Sequence, residues 1–286
     1  MLTVIKKIAI SILFFLPALS MAKVRFKQIA QFDVPDAKQG IAVDRDYFYA
    51  VDDRAITKYR KQDGKLVNRW EDRAGRHFIH LNSAVVVDGK LYAAHSNWPR
   101  LPPTSSVEIW DAKTMAHIQT HTFGLPSLGY LTWLDFHNGY WWGAFAHYGR
   151  IGGGGGDAYD GGTINTNLSK FDKDWNIINT WTFPAQLLKA FGTMSNSGGS
   201  WGPDGFLYLT GHDLAAVYKV KIPESGSPLE LVETIPLHIR GQGIAWDRHQ
   251  SNILYGIIRA TAAETKRGLS NKIEAFRAVI PLKPDK

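Results

Sequence analysis

The sequence predicts an all-β fold, a five-bladed β-propeller closed by its N-terminal strand. A hydrophobic residue followed by Tyr or Trp recurs five times, with the second residues of these pairs 43, 50, 66 and 47 positions apart. Repeats of about 40 to 50 residues built from short alternating strands are typical of propeller blades. The fifth copy lacks a fourth strand, whereas residues 25–34 form a spare strand at the start of the chain. We predict that this strand completes the last blade, because ring closure removes exposed sheet edges.

Each copy repeats the same four strands in the same order. A small or apolar strand comes first, as in GIAVD from Gly40. A tight turn such as Asp88-Gly89 leads into the aromatic strand, and Asp-Gly and Asn-Gly pairs are strong hairpin signals. Two strands with alternating polarity complete the blade, and residues 185–191 (AQLLKAF) are predicted to form a helix in the fourth copy. We interpret residues 23–286 as a single propeller domain.

Residues 1–22 (MLTVIKKIAISILFFLPALSMA) have the pattern of a secretory signal peptide. Lys6 and Lys7 precede an apolar run over residues 8–16, and small residues up to Ala22 occupy the positions that a signal peptidase reads. A bilayer span needs roughly 20 apolar residues, so this run is too short for a membrane anchor. We therefore expect cleavage after Ala22, a periplasmic or secreted protein, and no stable membrane anchor after cleavage.

The composition excludes several classes of protein. The chain has no Cys, which excludes a disulfide scaffold, a thiolate metal site and a cysteine nucleophile. A hydrophobic content of 44% excludes a disordered chain. The formal net charge of +7 falls to +5 when residues 1–22 are removed with their two Lys. This mild positive charge favours an anionic small-molecule or glycan ligand, and it is not the charge pattern of a nucleic-acid-binding protein.

The predicted functional surface is one mouth of the central channel. In a propeller, the starts of the first strands and the ends of the second strands meet at that mouth, and both sets of positions are polar in this chain. The longest insertions also leave from it, at residues 96–105, 148–167 and 260–271. Long loops on one rim of a rigid scaffold usually carry binding and catalysis. The glycine run at residues 152–156 is interpreted as a rim loop, since the strand, helix and Lys-Ser/Thr pair of a phosphate-binding loop are missing.

Three histidines are the predicted catalytic residues, because each follows the aromatic strand of consecutive blades: His95, His147 and His212. Three imidazoles at one mouth suit a single divalent metal ion, zinc or a similar one, with an open position for water or substrate. Neutral His residues can also act as general base and hydrogen-bond donors without a metal. A third interpretation is that they are buried polar residues that fill the channel. The sequence leaves all three interpretations open.

A second group of residues is predicted to bind the substrate at the same mouth. Gln39 and Gln242 occupy equivalent Gln-Gly positions in the first and fifth copies, which also suits a shared structural role. Arg259 is the predicted anion-binding group. Trp98 lies in a rim insertion and is the predicted residue for stacking on a ligand ring. The other predicted substrate-binding residues are His80, Asn82 and Asp213.

The blade pattern, the export signal and the length resemble small exported bacterial propellers of the NHL and SMP-30-like superfamily, loosely labelled lactonases or cycloisomerases. This resemblance implies a propeller fold and lactonase-like or cycloisomerase-like activity. The SMP-30-type metal site uses acidic and Asn ligands at the blade starts, where this chain has Gln, Asn, Thr and Ser. The architecture is also similar to that of the plant-type glutaminyl cyclases, which implies a pocket carboxylate from Asp52, Asp53 or Asp213.

These observations predict an exported propeller enzyme, a hydrolase, lyase or isomerase, that acts on a small anionic or carbohydrate-like molecule at a His-rich mouth. The alternative is a non-catalytic module that presents the same mouth to a glycan or a protein. A tightly held metal or strongly perturbed His titration favours the enzyme. A flat, metal-free mouth with stacked Trp side chains favours the binding module.

The signal peptide makes a direct prediction. A bacterial host that expresses the full chain should yield a protein that begins at Lys23, because small residues precede the cleavage point. Intact-mass spectrometry measures the new N-terminus, and Ala22→Leu should block the cleavage. A chain that keeps residues 1–22 and sediments with membranes would show that the segment is an anchor instead.

Overall fold

The computed structural model describes residues 23–75, 77–125, 128–148, 162–224 and 226–279. The predicted signal peptide and the predicted glycine-run loop lie outside the described residues. Within the described residues, 20 strands form five antiparallel sheets of four strands each. This arrangement confirms the predicted five-bladed β-propeller.

The strands follow the order of the sequence repeats. Strand β1 (Arg25–Asp33) comes first along the chain. Blade 1 contains β2 (Gly40–Val43), β3 (Tyr47–Asp52), β4 (Ala55–Arg60) and β5 (Leu66–Glu71). Blade 2 contains β6 (His80–Val87), β7 (Lys90–Ser96), β8 (Ser105–Asp111) and β9 (His117–Thr122). Blade 3 contains β10 (Tyr130–His137), β11 (Tyr140–Ala146), β12 (Asn167–Phe171) and β13 (Ile177–Thr182). Blade 4 contains β14 (Gly198–Trp201), β15 (Leu207–Thr210), β16 (Ala216–Lys221) and β17 (Glu230–Pro236). The last three strands belong to blade 5 and are β18 (Ile244–Trp246), β19 (Ile253–Ile258) and β20 (Lys272–Val279).

Strand β1 closes the ring, as the sequence predicts. It pairs antiparallel with β20, so that blade 5 has the strand order β1-β20-β19-β18. The register runs from Arg25 opposite Val279 to Asp33 opposite Lys272. The two ends of the described chain therefore form one sheet, and the last blade has no missing edge strand.

Five hydrophobic clusters bind the blades to one another, one at each blade-to-blade interface. The cluster between blades 5 and 1 includes Phe48 and Ile273, and the cluster between blades 3 and 4 includes Trp133 and Leu207. Corresponding clusters join blades 1 and 2, blades 2 and 3, and blades 4 and 5. Because each blade buries side chains against both neighbours, the hydrophobic core is continuous around the ring.

The inner strands approach one another at glycines. A Cβ built on Gly243 would lie 2.6 Å from the Cα of Gly40, and a Cβ on Gly40 would lie 2.5 Å from the Cα of Ser83. A Cβ on Gly198 would lie 2.9 Å from the Cα of Gly243. Contacts this short between a Cβ and backbone require displacement of a strand. The five-bladed ring is therefore narrow at the strand starts because these positions lack side chains.

The opposite end of the channel is tied together by one buried carboxylate. Asp135 of blade 3 is 2% exposed and accepts hydrogen bonds from the amide of Trp201 at 2.8 Å and the hydroxyl of Ser200 at 3.2 Å. The guanidinium of Arg248 in blade 5 also bonds to Asp135. A buried ion pair between Lys61 and Asp247, 2.6 Å apart, joins blades 1 and 5 on the same side. Blades 1, 3, 4 and 5 are thus held together at this end.

Two short helices lie in the insertions. Helix α1 (Ala185–Phe191) confirms the helix predicted for the fourth copy, and it buries Leu187 and Phe191. Helix α2 (Ala262–Lys266) was not predicted. It begins with a reciprocal capping box in which Thr261 accepts from the amide of Glu264. In the described part of the chain, no helix is long and apolar enough to cross a membrane.

The close packing of the inner strands predicts that one added methyl group destabilises the protein. Gly243→Ala should destabilise the protein by about 1–3 kcal/mol, because its Cβ would meet the backbone of Gly40. Urea unfolding measures this loss. The control is Gly89→Asn, in a turn where a Cβ would have no heavy atom within 4 Å and where Asn tolerates the positive φ. Equal stability of the two variants would contradict the packing argument.

Candidate functional site

All five blades contribute to a small cavity at the predicted mouth, with a volume of about 110 Å³. Seven of the residues predicted for catalysis or binding line it: Gln39, His80, Asn82, Trp98, His212, Gln242 and Arg259. Four further residues complete the wall: Thr132, Tyr148, Met194 and Ser197. Asp213, also predicted, lines an adjoining cleft. The ends of strands from different blades thus converge as the repeat predicts.

The most compact polar arrangement at this mouth is the pair His80 and Asp53. His80 Nδ1 lies 2.6 Å from Asp53 Oδ1, and Gln39 donates to the same oxygen at 2.9 Å. Burial works to raise the pKa of Asp53, but the hydrogen bonds from His80 and Gln39 outweigh it and hold this pKa below its ordinary value. An ionised Asp53 accepts a hydrogen bond from the Nδ1–H group of His80. Among the described residues, His80 Nε2 has no hydrogen-bond partner, so it is the ring nitrogen left for a ligand.

The second polar arrangement surrounds Arg259. His212 Nδ1 lies 2.7 Å from Asp213, and its Nε2 lies 3.1 Å from the guanidinium of Arg259. With its amide oxygen toward Arg259, Gln242 accepts from both terminal nitrogens at 3.1 and 3.2 Å, and the same oxygen lies 3.1 Å from His212 Nε2. Burial lowers the pKa of His212, and the charge of Arg259 adds to this effect. Both ring nitrogens of His212 are therefore engaged by protein groups, unlike those of His80.

Arg259 is the cation best placed to meet an anionic ligand. Its side chain is 26% exposed, whereas its carboxylate partner Asp213 is 72% exposed and only 3.3 Å away. Burial lowers the pKa of Arg259, which remains charged at any physiological pH. A partly buried guanidinium with a solvent-exposed partner can exchange that partner for a ligand carboxylate.

Trp98 and Tyr148 form an aromatic wall beside His80. The ring centroids of Trp98 and His80 are 5.0 Å apart, and those of Trp98 and Tyr148 are 6.3 Å apart. Such a wall suits the apolar face of a sugar ring or another flat ligand. Asn82, by contrast, is buried, and its amide bonds to the carbonyl of Leu131 at 3.5 Å.

His95 is turned into the interior of blade 2. Its Nδ1 lies 2.9 Å from the hydroxyl of Ser106, and its Nε2 accepts the amide proton of Ile79 at 3.1 Å. Burial lowers the pKa of His95 to about 4, although the charge of Glu108 opposes this shift. Both ring nitrogens are therefore satisfied within the protein, and His95 is not part of the cavity wall among the described residues.

His147 is also engaged by the protein. Its Nε2 donates to the carbonyl of Leu128 at 2.9 Å, and a Cβ on Gly129 would lie 2.7 Å from the same nitrogen. Among the residues that the structure describes, no three His, Asp or Glu side chains form a group that could hold a metal ion. The zinc-like site at His95, His147 and His212 stays a prediction, and this geometry does not support it. Elemental analysis of the purified protein tests it.

A larger cleft of about 770 Å³ opens beside the cavity, and Gln39 and Arg259 line both. Helix α2 and its flanking insertion form one wall, and Lys38 of blade 1 lies on the other. Arg240 fixes this insertion through a bond from Nη2 to Glu264 at 2.9 Å, which lowers the pKa of Glu264 to about 2. The cavity thus continues into a polar cleft with a rigid wall.

The titration of His95 predicts an acid-sensitive stability. The unfolded chain binds a proton at His95 below about pH 6.5, whereas the folded protein does so only below about pH 4. The free energy of unfolding should therefore fall as the pH is lowered through this window, with a contribution from His95 on the order of 3 kcal/mol. Urea unfolding at pH 7 and pH 4.5 measures this fall. His95→Gln should show a smaller fall than the wild type, and an identical fall would contradict the assignment.

Comparison with solved structures finds propellers that align over most of the chain. An aldose sugar dehydrogenase from Streptomyces coelicolor, solved with bound PQQ, aligns with a TM-score of 0.52 at 10% identity, covering 90% of this chain and 99% of that one. A luciferin-regenerating enzyme aligns with a TM-score of 0.51 at 12% identity, covering 90% and 95%. Comparisons with family models and with curated proteins find no match. At these identities the likeness shows the fold alone, and that fold is a β-propeller.

Proposed function

We propose that the protein is an exported enzyme that uses general acid–base chemistry on a small, anionic, carbohydrate-like molecule. The observation that carries this proposal is the contact between His80, which lines the cavity together with Arg259, and Asp53, which lines the adjoining cleft. A carboxylate 2.6 Å from one ring nitrogen fixes the orientation and the tautomer of an imidazole. Export is supported by the pattern of residues 1–22.

The chemistry follows from which ring nitrogens of the two mouth histidines are already engaged by the protein. Asp53 holds the proton on His80 Nδ1, so Nε2 can take a proton from a ligand C–H or O–H group or from a water molecule. His212 is not free for this role, because Arg259 and Gln242 both lie against its Nε2. Arg259 then pairs with the negative charge that the ligand carries or develops. A base beside a cation can serve the hydrolysis, elimination or isomerisation of a sugar acid or lactone.

The dimensions of the site support a ligand that extends beyond the cavity. Ligand sites usually measure about 300–1,000 Å³, and the cavity alone has about 110 Å³. The adjoining cleft has about 770 Å³ and shares Gln39 and Arg259 with the cavity. We therefore place the reacting, anionic end of the ligand between His80 and Arg259, beside the Trp98 ring. The polar remainder extends over the cleft toward helix α2.

The aldose sugar dehydrogenase named above acts on a sugar, and we extend that substrate class to this chain as part of the proposal. The aromatic wall at Trp98 and the polar cleft agree with it, since sugars combine apolar ring faces with many hydroxyl groups. Hexuronic acids and aldonolactones are therefore the probes with which turnover is tested.

The proposal predicts which substitutions abolish turnover. Proton NMR in D2O follows the conversion of each probe and the uptake of deuterium by the wild-type protein. His80→Ala and Asp53→Asn should lower kcat about 100- to 10,000-fold without loss of fold. The control is His249→Ala, an exposed residue in the hairpin between β18 and β19, which should retain full activity.

Two outcomes would overturn the proposal. Full turnover by His80→Ala would show that His80 is not the base. Binding of the probes by calorimetry, with no conversion by the wild-type protein, would favour the alternative of a non-catalytic sugar-binding module.

A further inference from the structure

The peptide that carries His80 is held on both sides by hydrogen bonds. The amide of Ile79 donates to Nε2 of His95 at 3.1 Å. The amide of Leu81 donates to the carbonyl of Asp53 at 2.9 Å. The first bond fixes the backbone before His80. The second bond ties the backbone after His80 to Asp53, whose carboxylate binds the His80 ring. His95 is thus the only side chain among the described residues that accepts the Ile79 amide.

The tautomer of His95 is set by a chain of buried groups. The Ser106 hydroxyl donates to Glu108 Oε1 at 2.7 Å, so its oxygen must accept from His95 Nδ1 at 2.9 Å. Nδ1 then carries the ring proton, and Nε2 is left as an acceptor for the Ile79 amide. The second oxygen of Glu108 bonds to His117 at 2.9 Å and to Thr120 at 2.6 Å. Every member of this chain has a partner, which makes the arrangement rigid.

Packing keeps the chain in place. The Glu108 side chain is 5% exposed and that of His95 is 13% exposed. Phe78 packs its ring against His95 and His117, with centroid separations of 5.6 and 5.4 Å. Rotation of His95 would leave the buried Ser106 hydroxyl and the Ile79 amide without partners, and each unpaired group would cost free energy.

We propose that His95 is a positioning residue that holds the His80 backbone, through the Ile79 amide, in the place where the His80 ring meets both Asp53 and the cavity. The residue acts through the backbone and does not touch the ligand. The relay from Glu108 through Ser106 is the device that keeps His95 in the accepting tautomer. This inference rests on the proposed role of His80, but its structural part can be tested without any substrate.

The test compares two replacements of His95 that differ in one property. His95→Gln keeps an oxygen that can accept the Ile79 amide, whereas His95→Leu has a similar size and no acceptor. Hydrogen exchange of the Ile79 amide and the downfield NMR signal of the His80 Nδ1 proton report the two contacts directly. We expect exchange of the Ile79 amide to be about tenfold faster and the His80 signal to be lost in His95→Leu, with both largely restored in His95→Gln.

Two further variants separate positioning from simple loss of stability. His117→Leu removes a different partner of the buried Glu108 and should lower stability while the Ile79 and His80 signals remain. Ser106→Ala removes the hydroxyl that fixes the tautomer of His95, so it should weaken both signals. This variant replaces His95→Leu in the test if His95→Leu does not fold. Unchanged signals in His95→Leu and Ser106→Ala, or equal losses in His95→Gln and His95→Leu, would overturn the proposal.

Turnover separates this inference from the proposed function. If His80 is the base, His95→Leu should lower kcat roughly 10- to 100-fold with little change in KM, and His95→Gln should recover most of it. Loss of the NMR signals with unchanged kcat would preserve the positioning role and reject His80 as the base. Unchanged NMR signals with a lowered kcat would reject the positioning role alone.

Discussion

The close approach of the inner strands is the constraint on which the rest of the structure depends. Gly40, Gly198 and Gly243 bring the backbones of adjacent blades together at the start of each strand, in space that a methyl group would fill. The residues directly before these glycines are Gln39, Ser197 and Gln242, and all three line the mouth cavity. The packing that narrows the ring therefore also gathers polar side chains from separate blades into one small space.

The chain places a polar residue at or just after the end of the second strand of every blade, and the neighbours of each residue decide what it does. His95 and His147 bond to backbone groups of adjacent segments and stabilise the loops around the mouth. His212 supports Arg259, whereas Asp53 orients the ring of His80. Equivalent positions in the repeat thus divide into supporting and ligand-facing groups, although the residues are chemically alike.

Much of the fold could be predicted from the sequence because local and periodic patterns determine the strands, the turns and the blades. The recurring aromatic strands, the Asp-Gly turns and the spare N-terminal strand predict the blades and their closure, and residues 185–191 form the predicted helix. The roles of single histidines depend on partners distant in the chain: Asp53 is 27 residues from His80, and Arg259 is 47 residues from His212. No local pattern encodes those pairings. Helix α2, which we did not predict, does have a local signal in the sequence, because its Thr261 and Glu264 are spaced as a capping box.

The central claim is that one ligand site lies between His80 and Arg259, and a crystal structure of the mature protein soaked with glucuronate tests it most directly. We predict that the glucuronate carboxylate bonds to Arg259, that the sugar ring packs beside Trp98, and that an oxygen lies within hydrogen-bond distance of His80 Nε2. A sugar bound instead in the cavity at the opposite end of the channel, beside Trp201 and Arg248, would contradict the account. So would a mouth cavity that holds no glucuronate.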